Sequence, residues 1–265
     1  MVVRRFREHV AAHNWFAVGI DLGIVVLGVF LGLQANNWNE ARNARAATAA
    51  YREQIIENLR ANEADIGARL HYYRQVQAHS IAALRTLETP GAAIGTDFLI
   101  SAYQASQVWQ RPLHRSAYDE MLAAGLGGSL GGAETRTSLT GFYAQMPQFN
   151  DLALSTTPYR DVIRGVIPYP IQRQMRERCG DITRRLPGGV VSARLPDHCA
   201  AEFDRASIAR AQGHLGALSG LETDLTRHIA DLDQKLGGFG AFQRRARELR
   251  LHLESLDRGQ SPAVP

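Results

Sequence analysis

The chain has 265 residues and a formal net charge of +4, and Lys235 is its only lysine, so its basic character comes almost wholly from arginine. This length allows one membrane anchor followed by one or two domains with a buried core. Zinc takes about four ligands and only His198 lies beside the two cysteines, so we predict no metal site, and we predict no cofactor.

Residues 15–36 are predicted to form a transmembrane helix. Their only ionisable side chain is Asp21, and about 20 mostly apolar residues suffice to cross a bilayer. Trp15 and Trp38 bracket the run about 35 Å apart along a helix, so we expect both indoles to be interface anchors. A buried core helix and a cleaved signal peptide are the alternatives. The run is long for either, and no Ala-x-Ala cleavage site follows at the usual distance.

Two features of this span suggest contacts within the membrane. Gly19 and Gly23, and again Gly28 and Gly32, have the small-xxx-small spacing that lets two helices pack closely. They predict a homo-oligomer formed through the span, although glycine is also common in membrane helices. Asp21 is an intramembrane acid that faces either hydrated headgroups or a partner in oligomer contact or signal transfer.

Positive residues near the span predict its orientation. Arginines crowd the short N-terminal side and are sparser beyond the span, at Arg4, Arg5 and Arg7 against Arg42, Arg45 and Arg52. Positive flanks are retained in the cytoplasm, so residues 1–14 are predicted to be cytoplasmic and residues 37–258 extracytoplasmic. Residues 259–265 would be a disordered tail. This places the protein in a bacterial inner membrane with a periplasmic body, where anionic headgroups or envelope polymers, and not nucleic acid, are the expected partners.

The anchor also carries a family resemblance. An apolar span with one early acid, followed by Leu-Gln-Ala-Asn-Asn-Trp-Asn-Glu at residues 33–40, resembles the N-terminus of an uncharacterised bacterial family of single-span membrane proteins. Ala-Tyr-Asp-Glu-Met at residues 117–121, with Gly125, is similar to the middle of that family. Its members commonly have Glu in place of Asp21. The resemblance implies location and architecture, and no chemistry.

Cys179 and Cys199 are predicted to form a disulfide. A flexible segment separates them, and an extracytoplasmic location favours oxidation. Such a bridge would stabilise the fold by about 3 kcal/mol in the loop-entropy description. Two separate reduced thiols are the alternative.

The rest of the chain predicts an all-α fold. Apolar residues at three- and four-residue steps predict that the membrane helix continues to about Leu87, with an interruption near residues 62–67. Near its other end the chain has a similar pattern, broken at residues 237–240 by glycines. We expect these long helices to pack as an antiparallel bundle.

Shorter helices complete the predicted bundle. Their expected ranges are 97–110, 116–124 with a capping box of Ser116 and Asp119, 134–154 with a kink or early stop at Pro147, and 159–167. Prolines end the last of these, a segment at 171–178 leads to the cysteine loop, and a short strand is expected at 190–191.

No residue pattern predicts catalysis. Asp224 and His228 are one helical turn apart and could share a ligand, but we interpret them as an exposed helical pair. We therefore predict that the protein is not an enzyme. The favoured hypothesis is a membrane-anchored scaffold that binds an envelope protein. The alternative is a sensor-like module that binds a small ligand and, lacking a cytoplasmic output domain, signals through a partner.

Overall fold

The computed structural model describes residues 15–109 and 111–257, so the predictions for residues 1–14 and 259–265 lie outside the described residues. Its first element is α1, Trp15–Glu88, a single helix of 74 residues that is about 110 Å long at 1.5 Å per residue. The predicted continuation of the apolar segment into a long helix is confirmed. It ends where expected, at Thr89-Pro90-Gly91, with Gly91 at a φ of 76°.

The predicted interruption of α1 near residues 62–67 is wrong. Asn62 does not compete with the helix backbone, because its side-chain amide donates to the carbonyl of His114 and accepts from the His114 amide, both at 2.7 Å. Gly67 lies under the side chain of Gln243, which a Cβ would approach to 2.8 Å. Both residues that suggested a break instead serve contacts with other parts of the fold.

The elements after α1 are mostly helical, which confirms the all-α prediction. In order they are α2 Thr96–Ala105, α3 Ser116–Ala123, α4 Ala133–Leu154, α5 Pro158–Val166, α6 Tyr169–Arg178, β1 Ile182–Arg185, β2 Val191–Arg194, α7 Arg205–Gly216 and α8 Leu221–Asp257.

The bundle is organised on α1 and α8, which run antiparallel. Three polar contacts fix this direction, because α8 positions fall as α1 positions rise: Arg60 with Glu254, Glu63 with Arg250, and Gln77 with Asp233. The packing of the long N-terminal helix against later helices is therefore the predicted one.

Two predictions about short helices are wrong. Helix α2 ends five residues early, because the Ser106 hydroxyl donates to the carbonyl of Tyr103 at 2.7 Å and closes its last turn. Helix α3 has no capping box. Its N-cap is Arg115, whose guanidinium donates two 2.7 Å hydrogen bonds to Asp119, so the carboxylate is engaged by this arginine.

The predicted break at residues 237–240 is also wrong, since α8 runs through these glycines. Gly238 allows close approach of α4, because a Cβ there would lie 2.7 Å from the Leu152 Cδ2 atom. The chain breaks earlier, between α7 and α8, where Gly220 adopts a φ of 93°. Pro147 lies inside α4 without ending it.

A small β-hairpin replaces the single strand predicted at residues 190–191. Strands β1 and β2 pair antiparallel, with Ile182 opposite Arg194. The Gln75 side chain of α1 continues the hairpin hydrogen bonding, because it donates to the Leu195 carbonyl at 3.1 Å and accepts from the Leu195 amide at 2.9 Å.

The body contains two apolar clusters along α1. The proximal cluster, nearer the apolar N-terminal segment, includes Phe142 and Phe149 of α4 stacked on Phe242 of α8, with Phe239 of α8 tilted against Phe149. The distal cluster lies around the far end of α1 and includes Leu99, Tyr103, Tyr159, Met175 and Leu225. The boundary between the two clusters is where the candidate site lies.

Candidate ligand pocket

A pocket of about 300 Å³ opens at the boundary between the proximal and distal clusters. Four parts of the chain line it: Tyr73 of α1, the segment 106–108 after α2, residues of the segment 152–160 from the end of α4 to the start of α5, and one face of α8. These parts are distant in sequence, so the pocket exists only in the folded chain.

Lys235 is the most unusual lining residue. Its side chain is almost fully buried, with 5% exposure. The ammonium donates a 2.8 Å hydrogen bond to the carbonyl of Ser155 and lies 4.8 Å from the centre of the Tyr73 ring. Burial lowers the pKa of Lys235 to about 8, against a smaller opposing effect of Asp231. A lysine charge is therefore held at a desolvation cost inside a cavity.

Two arginines of α5 hold the segment after α2 at the pocket wall. Arg160 lines the pocket and donates to the carbonyl of Ser106. Arg164, one turn later, donates to the Ser106 hydroxyl at 2.8 Å and to the Gln107 side chain at 3.0 Å. Arg164 also lies 4.4 Å from the centre of the Tyr103 ring. These contacts fix one wall of the pocket.

His228 is buried at the back of the pocket and is not the exposed residue that we predicted. Its Nε2 atom is 2.8 Å from the carbonyl of Ala105, which can only accept, so Nε2 carries the proton. Nδ1 then accepts from the Thr157 hydroxyl at 2.7 Å. Burial is the main effect that lowers the pKa of His228. Asp224 does not join it, because that carboxylate pairs with Arg227.

The charges around the pocket favour an anion. Lys235 and Arg160 are both cationic, and His228 is held neutral by burial and by its two hydrogen bonds. Asp231 is exposed at the rim and is the carboxylate of the lining. The lining therefore has a net charge of about +1 near neutral pH.

The predicted site residues lie away from this pocket. Cys179 and Cys199 form a disulfide with a Cα–Cα distance of 5.1 Å, and it joins the end of α6 to the segment before α7. The Gln104 side chain donates to the Cys179 carbonyl at 2.8 Å, which attaches the cystine to α2 in the distal cluster.

The apolar segment of α1 is the one helix in the described ranges that is long and apolar enough to cross a membrane, and none of it is buried against the body. A Cβ at any of the paired glycines would contact nothing, at Gly19, Gly23, Gly28 and Gly32. Asp21 is half-buried and Trp38 is 65% exposed. The side chain of Trp15 lies outside the described part of the structure.

Sequence reasoning missed Lys235, although one signal was available. The only lysine of an arginine-rich chain lies between Leu232 and Leu236, next to the apolar seam of α8. A single basic residue at such a place is unusual, because lysine is seldom fully buried. The rest of the pocket could not be found, since its lining comes from four separate segments.

Comparison of the chain with protein-family models, with characterised proteins and with solved structures gives no match. The resemblance of the anchor to a single-span family therefore stays a prediction. Among the described residues there is also no group of three or more His, Cys, Asp or Glu side chains that could hold a metal ion.

Proposed function

We propose that the chain is a membrane-anchored, ligand-binding helical domain, which is the sensor-like alternative of the sequence analysis. The observation that carries this proposal is the pocket beside Lys235. Small-molecule sites are concave, mostly apolar and contain a few convergent polar groups. This pocket has apolar walls at Leu152, Leu232 and Val108, with Lys235 and Arg160 among them.

The position of the pocket supports a sensing role. Tyr73 lines the pocket and belongs to α1, the same uninterrupted helix as the apolar segment. It lies about 55 Å along the helix from residue 36. A ligand that preferred one arrangement of α1 against α5 and α8 would therefore bias the position of the anchor, and its differential affinity would set the size of that bias.

We place the span in a bacterial inner membrane, with the N-terminus in the cytoplasm and the body in the periplasm. The arginine asymmetry across the span supports this orientation, and the cystine is compatible with an oxidising compartment. The lipid bilayer is then the first partner. A scaffold role, through the glycine faces of α1 and an envelope protein, stays a prediction.

Ligand binding is tested with the full chain purified in detergent micelles. A fragment library of acids, bases and neutral compounds is screened by the shift in Tm, because a ligand that binds the native state raises Tm. The matched variant is Thr156→Trp, which fills the mouth of the pocket from an exposed position in its rim, and Thr156→Ala is its control. We expect fragments that stabilise the wild type and the alanine variant, and not the tryptophan variant. Equal stabilisation of the tryptophan variant contradicts the proposal.

The location is tested with reporter fusions at the C-terminus. Alkaline phosphatase, which is active only in the periplasm, should be active, and green fluorescent protein exported by the same route should be dark. A fluorescent fusion in the cytosol, or recovery of the protein in the soluble fraction without detergent, contradicts the anchored periplasmic body.

A further inference from the structure

We propose that the pocket binds a small organic carboxylate with a single negative charge, held between Lys235 and Arg160 with its apolar part against Leu152 and Leu232. This inference rests on the proposed function, because it names the ligand class of the same pocket.

Lys235 and Arg160 have more hydrogen-bond donors than their contacts within the protein use. An ammonium has three donors and a guanidinium has five. Among the described residues, Lys235 donates one hydrogen bond, to Ser155, and Arg160 donates to Ser106. Both side chains therefore keep N–H groups for an acceptor in the pocket, and hydrogen bonds to ionised groups are the strong ones.

Burial of the Lys235 ammonium has a desolvation cost. A buried ammonium loses its hydration, and one neutral carbonyl, the face of Tyr73 and the exposed carboxylate of Asp231 replace only part of it. An anion that enters the pocket supplies a counter-charge inside the cavity. A purely structural alternative is that Lys235 only caps the C-terminal end of α4 at Ser155. A lysine can do this from an exposed position, without the desolvation cost of burial.

The sign and size of the net charge of the pocket lining favour a single negative charge on the ligand. Lys235 and Arg160 attract an anion, and the N-terminus of α5 at Pro158, next to the pocket turn, adds to that potential. Asp231 at the rim repels a second negative charge. The lining is therefore matched to a monoanion and is less suited to a dicarboxylate or to the dianion of a phosphate.

The size of the pocket limits the size of the ligand. The pocket volume of about 300 Å³ is at the lower end of the range for small-molecule sites. Its apolar walls at Leu152, Leu232 and Val108 fit a ring or a short branched chain. A free fatty acid released from membrane lipid would be too long, which separates a soluble ligand from a lipid-derived one.

The test is isothermal titration calorimetry on the full chain in detergent micelles. The probes are phenylacetate, its neutral counterpart phenylacetamide, the dianion phenylmalonate, phenyl phosphate and palmitate. We expect the Kd of phenylacetate to be at least about tenfold lower than that of phenylacetamide, since a hydrogen bond to a charged group is worth this factor. Phenylmalonate, phenyl phosphate and palmitate should bind more weakly than phenylacetate.

Variants assign the effect to the two cations. Lys235→Met and Arg160→Gln should each raise the Kd of phenylacetate by about 10- to 100-fold. Arg227→Gln is the matched control, because this exposed arginine is on α8, is paired with Asp224 and does not line the pocket. Its Kd should equal that of the wild type. If Lys235→Met fails to fold, the Kd of phenylacetate for Arg160→Gln decides whether the cations of the pocket hold the carboxylate.

Three outcomes overturn the inference. Equal affinity for phenylacetate and phenylacetamide, unchanged affinity in Arg160→Gln, or tighter binding of phenylmalonate, phenyl phosphate or palmitate removes the small monocarboxylate class. If phenylacetamide binds the wild type and not Thr156→Trp, the pocket and the proposed function survive that failure. If no probe binds, the inference fails, and the fragment screen with its Thr156→Trp variant decides the proposed function separately. If Thr156→Trp binds every probe and every fragment as the wild type does, the inference and the proposed function fail together.

Discussion

The body buries two cations in opposite ways. Arg69 of α1 has no exposed surface, and its Nη2 atom donates to Asp65 and to the carbonyl of Arg111, both at 2.6 Å. Lys235 of α8 is nearly as buried, but its direct contacts are a neutral carbonyl and an aromatic ring beside a cavity, and the carboxylate that acts on it, Asp231, is exposed at the rim. Arg69 is therefore paired with a buried carboxylate, whereas Lys235 is not.

This contrast suggests how a structural buried charge can be distinguished from a functional one. Removing one member of a buried ion pair leaves the other charge without a counter-ion and is strongly destabilising. Removing an unmatched buried charge also removes its desolvation cost. The contrast between Arg69 and Lys235 is therefore a difference in the sign of a measurable stability effect.

Replacing the two buried cations themselves should change stability most. Arg69→Met should lower the free energy of unfolding by about 3–5 kcal/mol, because it leaves Asp65 charged and buried. Lys235→Met should leave the free energy of unfolding unchanged or raise it. Urea unfolding followed by circular dichroism measures both. A loss of several kcal/mol in Lys235→Met would make that lysine structural, like Arg69.

The second prediction concerns the distal cluster, where the cystine lies. Replacing Cys179 and Cys199 together by serine should lower the free energy of unfolding by about 3 kcal/mol. The pocket turn at residues 155–157 is outside the closed loop, so probe binding should survive below the new Tm. Loss of probe binding with little loss of stability would place the cystine in the site itself.

A third prediction uses the polar contact between α1 and α8. Glu63 accepts from Arg247 at 2.6 Å and from Arg250 at 3.0 Å, near the surface of the bundle. Glu63→Gln should lower the free energy of unfolding by about 1 kcal/mol, because the pairs are only partly buried, Arg247 is exposed to solvent that screens its charge, and the glutamine oxygen can still accept a hydrogen bond. In 1 M salt the difference between variant and wild type should shrink. A loss of stability in Glu63→Gln as large as that in Arg69→Met would contradict the prediction that the Glu63 contacts contribute less than the buried Arg69–Asp65 pair.

The smallest predicted effect is in pH dependence and comes from His228. Its pKa is lowered in the folded state, so the unfolded chain binds more protons below about pH 6.5, its ordinary pKa. The stability contribution is present above that pH and is lost as pH falls. Thr157, Ala105 and Tyr159 contact the ring, and the charges near it are Lys235 and Asp231.

The measurement is Tm at pH 7.5 and pH 5.5 for the wild type and His228→Gln. The variant should show a smaller fall in Tm between these values, since glutamine does not titrate and its amide can still donate to the Ala105 carbonyl. An identical fall in both proteins would mean that His228 is already protonated, or already exposed, in the fold.

The helices were predictable because their signals are local and periodic. Apolar spacing located the ends of α1 at Glu88 and of α4 at Leu154 within a few residues. The errors arose where tertiary contacts used a residue that is locally ambiguous. Gly67 and Gly238 suggested breaks, whereas both allow another side chain to approach an intact helix.

The pocket was not predictable for a related reason. His228 was interpreted as exposed because its neighbour Asp224 is one helical turn away, but the two residues point to different surroundings. The carbonyls that engage His228 and Lys235 belong to Ala105 and Ser155, and a backbone carbonyl has no signature in the sequence. Only the folded chain brings these groups to α8.

The most direct test of the account is the titration of Lys235 itself. Because it is the only lysine in the chain, incorporation of 13C-labelled lysine gives a single Cε resonance that reports the charge of this ammonium. We expect a pKa of about 8 for Lys235 in the free protein, which should rise when phenylacetate is added and stay unchanged with phenylacetamide. A pKa near its ordinary value of about 10.4, unaffected by either compound, would contradict the claim that the buried ammonium of Lys235 binds an anion in the pocket.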